Sequence, residues 1–224
     1  MSSGWTTKAL AVLAKDIRTE LRTRYSLNAL FMFAFTTLVV ISFSLGQLSL
    51  SVPVHGALYW ITIFFSAMSA LAGVFVKEED TKTAQTLRLF ARPSVVYAGK
   101  LIYNVLLLVI LCLLITPLYV IFMNVTIPDW PLFIIVVALG VIGLAGATTI
   151  LGAVVSKANV RGALFAVLSF PILLPLLVAA IGGTDAALMD TGWSGAGNYL
   201  KLLTAYAVIM IAASSVLFDY VWNG

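Results

Sequence analysis

Cysteine and histidine occur once each in this 224-residue chain, and only 10% of its residues are charged. The lone cysteine, Cys112, lies in an apolar run, where it forms no intrachain disulfide and holds no metal by itself. No His/Cys/carboxylate cluster has metal-ligand spacing. His55 could in principle ligate haem iron, but alone at the edge of an apolar run it reads as a plain interfacial residue. A phosphate-binding loop is missing too. Ala98-Gly99-Lys100-Leu101 lacks both the upstream glycine and the following hydroxyl, so ATP binding by that route is excluded. Residues 1–25 carry Asp16 and Glu20 among their bases and no small-residue cleavage site, which is not the pattern of a secretory signal.

What the chain does have is apolar residues, 62% of the total, with a mean hydropathy of +1.08. Soluble domains run at about 45–50% apolar and roughly a quarter charged, so this composition fits a bilayer rather than water. Six runs stand out, at about 27–46, 54–76, 101–123, 131–155, 162–181 and 202–218, the last extending by a turn at each end to 200–220. Each is about long enough to cross a hydrocarbon layer of ~30 Å. None of the six cores holds Asp, Glu, Lys or Arg. Ion-coupled transporters need ionisable groups within the membrane, so any active transport here must be driven from outside the bilayer.

Twelve of the 13 basic residues fall on one side of these runs, in 1–25, 77–100 and 157–161; Lys201 is the exception. The positive-inside rule makes that side cytoplasmic and places both termini there. It also accounts for the pI of about 9.3 without nucleic acid as a partner. The opposite loops are short and carry Asp129, Asp185 and Asp190; the longest, 182–199, is rich in Gly, Thr and Ser. That loop is open to short re-entrant helices.

Two segments on the basic side carry further information. In the lead-in, Leu10, Leu13, Ile17 and Leu21 recur at spacings of three, four and four, which stacks them on one helical face. Lys8, Lys15, Arg18 and Arg22 project from another face, so Lys15, Arg18 and Arg22 are expected to meet anionic lipid headgroups. The helix reads as a membrane anchor, with contact to a cytoplasmic partner as the alternative. The second segment runs from Lys77 to Lys100. Asp80 or Thr81 is suited to cap a short helix that Glu78, Glu79 and Asp80 favour electrostatically and Pro93 ends. Ala84, Leu87 and Ala91 line one face of it, with Phe90 beside them, and a solvated loop has no need of Leu87, Leu89 and Phe90 so close together. Docking onto the bilayer or onto a soluble protein follows, with the protein preferred. Glu78, Glu79, Asp80, Thr81, Leu87, Leu89, Phe90 and Arg92 are the candidate docking residues.

Within the runs, Pro117, Pro171 and Pro175 each remove a backbone hydrogen bond and are candidate bends. Gly140, Gly143, Gly146 and Gly152 allow close helix approach to the fourth run.

Three patterns resemble those of the haem exporter protein B (CcmB) family, the ABC-transporter permeases of cytochrome c maturation. They are Ala14-Lys15-Asp16-Ile17-Arg18-Thr19-Glu20-Leu21-Arg22; Glu78-Glu79-Asp80-Thr81-Lys82-Thr83 through Leu87-Arg88-Leu89-Phe90 and Pro93 to Gly99-Lys100; and Arg161-Gly162 leading into Pro171-Ile172-Leu173-Leu174-Pro175-Leu176-Leu177. The resemblance covers nearly the whole chain. It implies an all-α membrane protein of six transmembrane helices with ABC-2-type permease architecture. A single domain would span 1–224, with an N-terminal amphipathic interfacial helix and a cytoplasmic coupling helix between spans two and three. It also implies a separate ATPase subunit, a haem-handling membrane protein and a haem chaperone as partners, and room for two copies per complex in the bacterial inner membrane. Haem would be handled or transported rather than held as a cofactor. An ABC-2-type exporter of a drug, lipid or polysaccharide, and a non-transporting membrane scaffold, are the alternatives.

Overall fold

The computed structural model describes residues 3–46, 50–71, 74–75, 87, 89, 91–156, 161–189 and 192–223. Among these residues it is all-helical, with α1 Ser3–Thr23, α2 Tyr25–Leu45, α3 Val52–Leu71, α4 Pro93–Met123, α5 Trp130–Ser156, α6 Arg161–Leu188 and α7 Gly192–Asn223. α2 to α7 are each long and apolar enough to cross a membrane, α6 through its part Val167–Leu188. α1 is the amphipathic lead-in.

Local chemistry sets the helix ends. Asp129 caps α5: its Oδ1 accepts from the backbone N–H of Leu132 at 3.0 Å, satisfying one donor that the first turn leaves open. α4 starts with Pro93 behind an extended Arg92, where the missing N–H of proline costs nothing. It ends at Asn124 in the left-handed region (φ 49°), a conformation asparagine tolerates. α1 turns into α2 at Arg24, also left-handed (φ 52°), so one residue makes the corner between lead-in and first span.

α5 is the centre of the bundle and packs most extensively on α6 and α7. Its glycines explain how. A Cβ added at Gly140 would lie 2.1 Å from the Trp60 ring of α3, and one at Gly143 would lie 2.7 Å from Leu176 of α6. Small residues bring helices close in lipid, where no hydrophobic force draws them together. Hydrogen bonds cross the interfaces as well: Trp60 Nε1 donates to Thr184 Oγ1 at 2.8 Å, Asn104 Nδ2 to Thr149 Oγ1 at 2.8 Å, and Tyr206 OH to the Ile172 carbonyl at 2.8 Å. Such bonds contribute about 0.6 kcal/mol each in membrane helices. Apolar side chains outside these contacts, such as Phe43, Leu113, Ile121 and Ile209, face outward, as expected of a lipid-facing surface.

Two expectations need correction. The 182–199 stretch is not an outer loop: α6 continues to Leu188 and α7 starts at Gly192. Gly182 and Gly183 serve packing, because a Cβ at Gly182 would fall 2.4 Å from the Tyr199 ring and one at Gly183 3.0 Å from Val136. Lys100 is not in the loop before the third span either; it lies two turns inside α4. At 1.5 Å per residue the 31 residues of α4 reach ~46 Å, some 16 Å more than a hydrocarbon layer. That excess leaves room for Lys100, near the start of α4, to sit outside the hydrocarbon layer. α4 and α6 both run continuously through Pro117, Pro171 and Pro175.

Candidate functional site at the basic end

At the end of the bundle that carries most of the bases, α1 lies across the first turns of α4. Ala9 and Val12 of α1 are buried with Val95 in a small apolar cluster. The crossing is tight because of Gly99, where a Cβ would come within 2.8 Å of Val12. Trp5 Nε1 reaches Ser94 Oγ at 3.4 Å.

Beside this contact is a group of buried charges. Lys100 is 2% exposed, and Asp16 and Glu20 are buried with it. Lys100 Nζ lies 3.1 Å from Asp16 Oδ2 and donates to the Val74 carbonyl at 3.1 Å. Its ammonium also sits 5.3 Å from the centre of the Phe75 ring, within cation–π range. Glu20, one turn along α1 from Asp16, accepts from Tyr103 OH at 3.1 Å and from the Leu27 N–H at 2.9 Å. That second bond satisfies an open donor in the first turn of α2 and puts a negative charge at its positive end. Buried ions persist only with such compensation: Lys100 is ion-paired and hydrogen-bonded, Asp16 is ion-paired to Lys100 and Lys15, and Glu20 accepts two hydrogen bonds.

The cluster surrounds both roots of the 76–92 segment. Val74 and Phe75 lie just before it; Lys100 and Tyr103 lie two to three turns into α4, the helix that follows it. Phe75 also packs on Phe218 and Trp222 of α7 at centroid distances of 5.9 and 6.5 Å, and Tyr97 meets Phe218 at 5.5 Å. Of the candidate docking residues, Leu87 is half-buried against the bundle and the α1 cluster, Leu89 is 84% exposed, and Arg92 is exposed. Glu78, Glu79, Asp80, Thr81 and Phe90 lie outside the described residues, as does the helix expected there.

On α1 the leucine stripe read from the sequence divides, with Leu13 and Ile17 half-buried against the core. Leu10 and Leu21 are 57% and 62% exposed, while the inward stripe is Ala9, Val12, Asp16 and Glu20. Lys15, Arg18 and Arg22 are exposed as expected. Asp16, Glu20, Lys100 and Tyr103 were not among the candidate site residues of the sequence. The available signal was that Asp16 and Glu20 stand four apart in register with Ala9 and Val12. His55 is engaged elsewhere: its carbonyl accepts from Tyr119 OH at 2.8 Å, and its ring meets the Tyr119 ring edge-on. Among the described residues no group of three or more His, Cys, Asp or Glu is placed to hold a metal.

Six helices long and apolar enough to cross a membrane, behind an amphipathic lead-in, are the architecture of a multi-pass membrane protein and are consistent with a six-span permease. The profile of the CcmB protein family matches residues 7–218, nearly the whole chain, and the chain belongs to that family. It is therefore a membrane component of the ABC system for haem export in cytochrome c maturation, working with the other components of that system. No curated protein matches it.

Proposed function

We propose that the chain is the permease subunit that a separate ATPase drives, and that the 76–92 segment is where the ATPase docks. The observation that carries this reading is the exposure of Leu89, 84%, and of Arg92, in a stretch that follows the buried Phe75 and leads into α4, where Lys100 is held in the bundle. An apolar side chain so exposed on the basic end fits a partner surface. The basic end is cytoplasmic by the positive-inside rule, which puts both termini in the cytoplasm of a bacterial cell and the chain in its inner membrane. ATP chemistry belongs to the partner, and haem is handled or carried rather than held as a resident group. A haem-handling membrane protein and a haem chaperone complete the complex, with room for two copies of this chain.

The test is affinity purification of the complex from membranes carrying native or L89D/F90D permease. Loss of the ATPase from the variant, with insertion intact, is the expected result. An ATPase that stays bound places the docking surface elsewhere.

A further inference from the structure

The buried charges are not accounted for by docking, which uses the exposed part of the segment. Nor does packing account for them, since an apolar cluster of similar volume holds helices together at no ionic desolvation cost. Their positions suggest another role. Asp16 and Glu20 belong to α1, Lys100 and Tyr103 to α4, Val74 to the chain just past α3, and Leu27 to the first turn of α2. Two polar contacts one turn apart on α1, Asp16–Lys100 with the Val74 carbonyl and Glu20 with Tyr103 and Leu27, thus join four pieces of chain near the start of α4. Gly99 removes the side chain that would hold α1 away from that place.

We propose that Asp16, Lys100, Glu20 and Tyr103 are positioning residues that clamp α1 to both roots of the docking segment. α1, the segment and the first turns of α4 then move as one body, and a displacement imposed by the ATPase on the segment is delivered through the α1–α2 corner to the first span as well as directly to the third. The proposal rests on the docking reading above. Ion pairs suit the task better than apolar contacts because they fix register: Lys100 meets its partners in only one arrangement of α1 over α4, whereas apolar surfaces tolerate sliding.

The experiment uses the complex of permease and ATPase reconstituted in lipid, with D16N/K100M as the principal variant. This pair removes both charges without stranding either in the interior, so it retains the fold where K100M alone is at risk of losing it. Ala9 is 3% exposed, so an A9C thiol in otherwise native permease is shielded from a water-soluble maleimide. In the D16N/K100M background its labelling rises at least about tenfold, since labelling follows the population in which the helix has lifted. The ATPase still co-purifies, but its kcat in the complex falls to the level of the ATPase alone while its KM for ATP is unchanged. A short dithiol bridge between V12C and V95C, whose side chains share the small apolar cluster, restores kcat. A merely structural contact would give neither the kcat-only loss nor the rescue. Labelling that does not change, or hydrolysis in an intact complex that ignores D16N/K100M, overturns the clamp. So does a V12C–V95C bridge that stops the native complex, because α1 and α4 would then have to separate. An ATPase absent from the native complex overturns the docking reading and the transmission claim with it, a failure distinguished from the others by the missing subunit.

Discussion

Replacing Lys100 by methionine removes the ammonium and keeps most of the side-chain volume. Three contacts go with it: the ion pair to Asp16, the bond to the Val74 carbonyl and the approach to the Phe75 ring. The largest cost is the carboxylate left behind, because breaking a buried pair by removing one partner costs about 3–5 kcal/mol. Lys15 is 3.1 Å from the other Asp16 oxygen, but its side chain is 44% exposed and water screens it, so it relieves only part of this cost. The low end, about 3 kcal/mol, is expected. For a chain of this length that lowers Tm by about 6–12 °C. D16N/K100M strands no charge and loses chiefly the Val74 bond, about 1 kcal/mol. The double variant therefore melts above the single one. Thermal unfolding of the purified protein in detergent, followed by the fluorescence of its five tryptophans, makes the comparison. A double variant that melts at or below K100M, or a K100M with native Tm, would refute the reasoning, since the charges would then not depend on each other.

Other consequences follow from the same structure. Gly140→Ala drives a methyl into the Trp60 ring and destabilises the bundle by about 1–3 kcal/mol, read as a lower Tm; adding W60L, which vacates that space, recovers part of the loss. Glu20→Ala leaves the Leu27 N–H and the Tyr103 hydroxyl without their acceptor, and costs about 1–3 kcal/mol in the same assay. Arg24→Gly relieves a left-handed residue and raises stability by about 1 kcal/mol; an unchanged or lower Tm shows that the corner is not strained. A cysteine at the exposed Met189 labels from the periplasmic side only, and labelling from the cytoplasm would invert the proposed orientation.

The six spans were legible because each is an apolar run of bilayer length, and burial in lipid leaves the backbone little choice but helix. Their ends were less so. Gly182 and Gly183 look like loop residues by propensity, yet they sit inside α6 because Tyr199 and Val136 occupy the space their side chains would need. The segment proposed for docking was picked out by its apolar residues among charges; of these, Leu89 is exposed. Leu87, by contrast, packs on the chain's own α1 cluster, whose Ala9 and Val12 are far away in sequence. The ionic cluster was hidden for the same reason. A charged residue is expected to face water, and only the pairing of Asp16 with Lys100 across two distant segments makes its burial affordable. The apolar face of α1 is divided: Leu13 and Ile17 pack on the bundle, while Leu10 and Leu21 are exposed, toward the membrane surface in the proposed orientation.

The central claim is that an ATPase binds the 76–92 segment, and a photo-reactive residue in place of Leu89 tests it most directly. Illumination of membranes containing the intact complex should give one dominant adduct, between this chain and the ATPase subunit. An adduct to lipid alone, or to another membrane subunit with the ATPase present and unlabelled, would contradict the account.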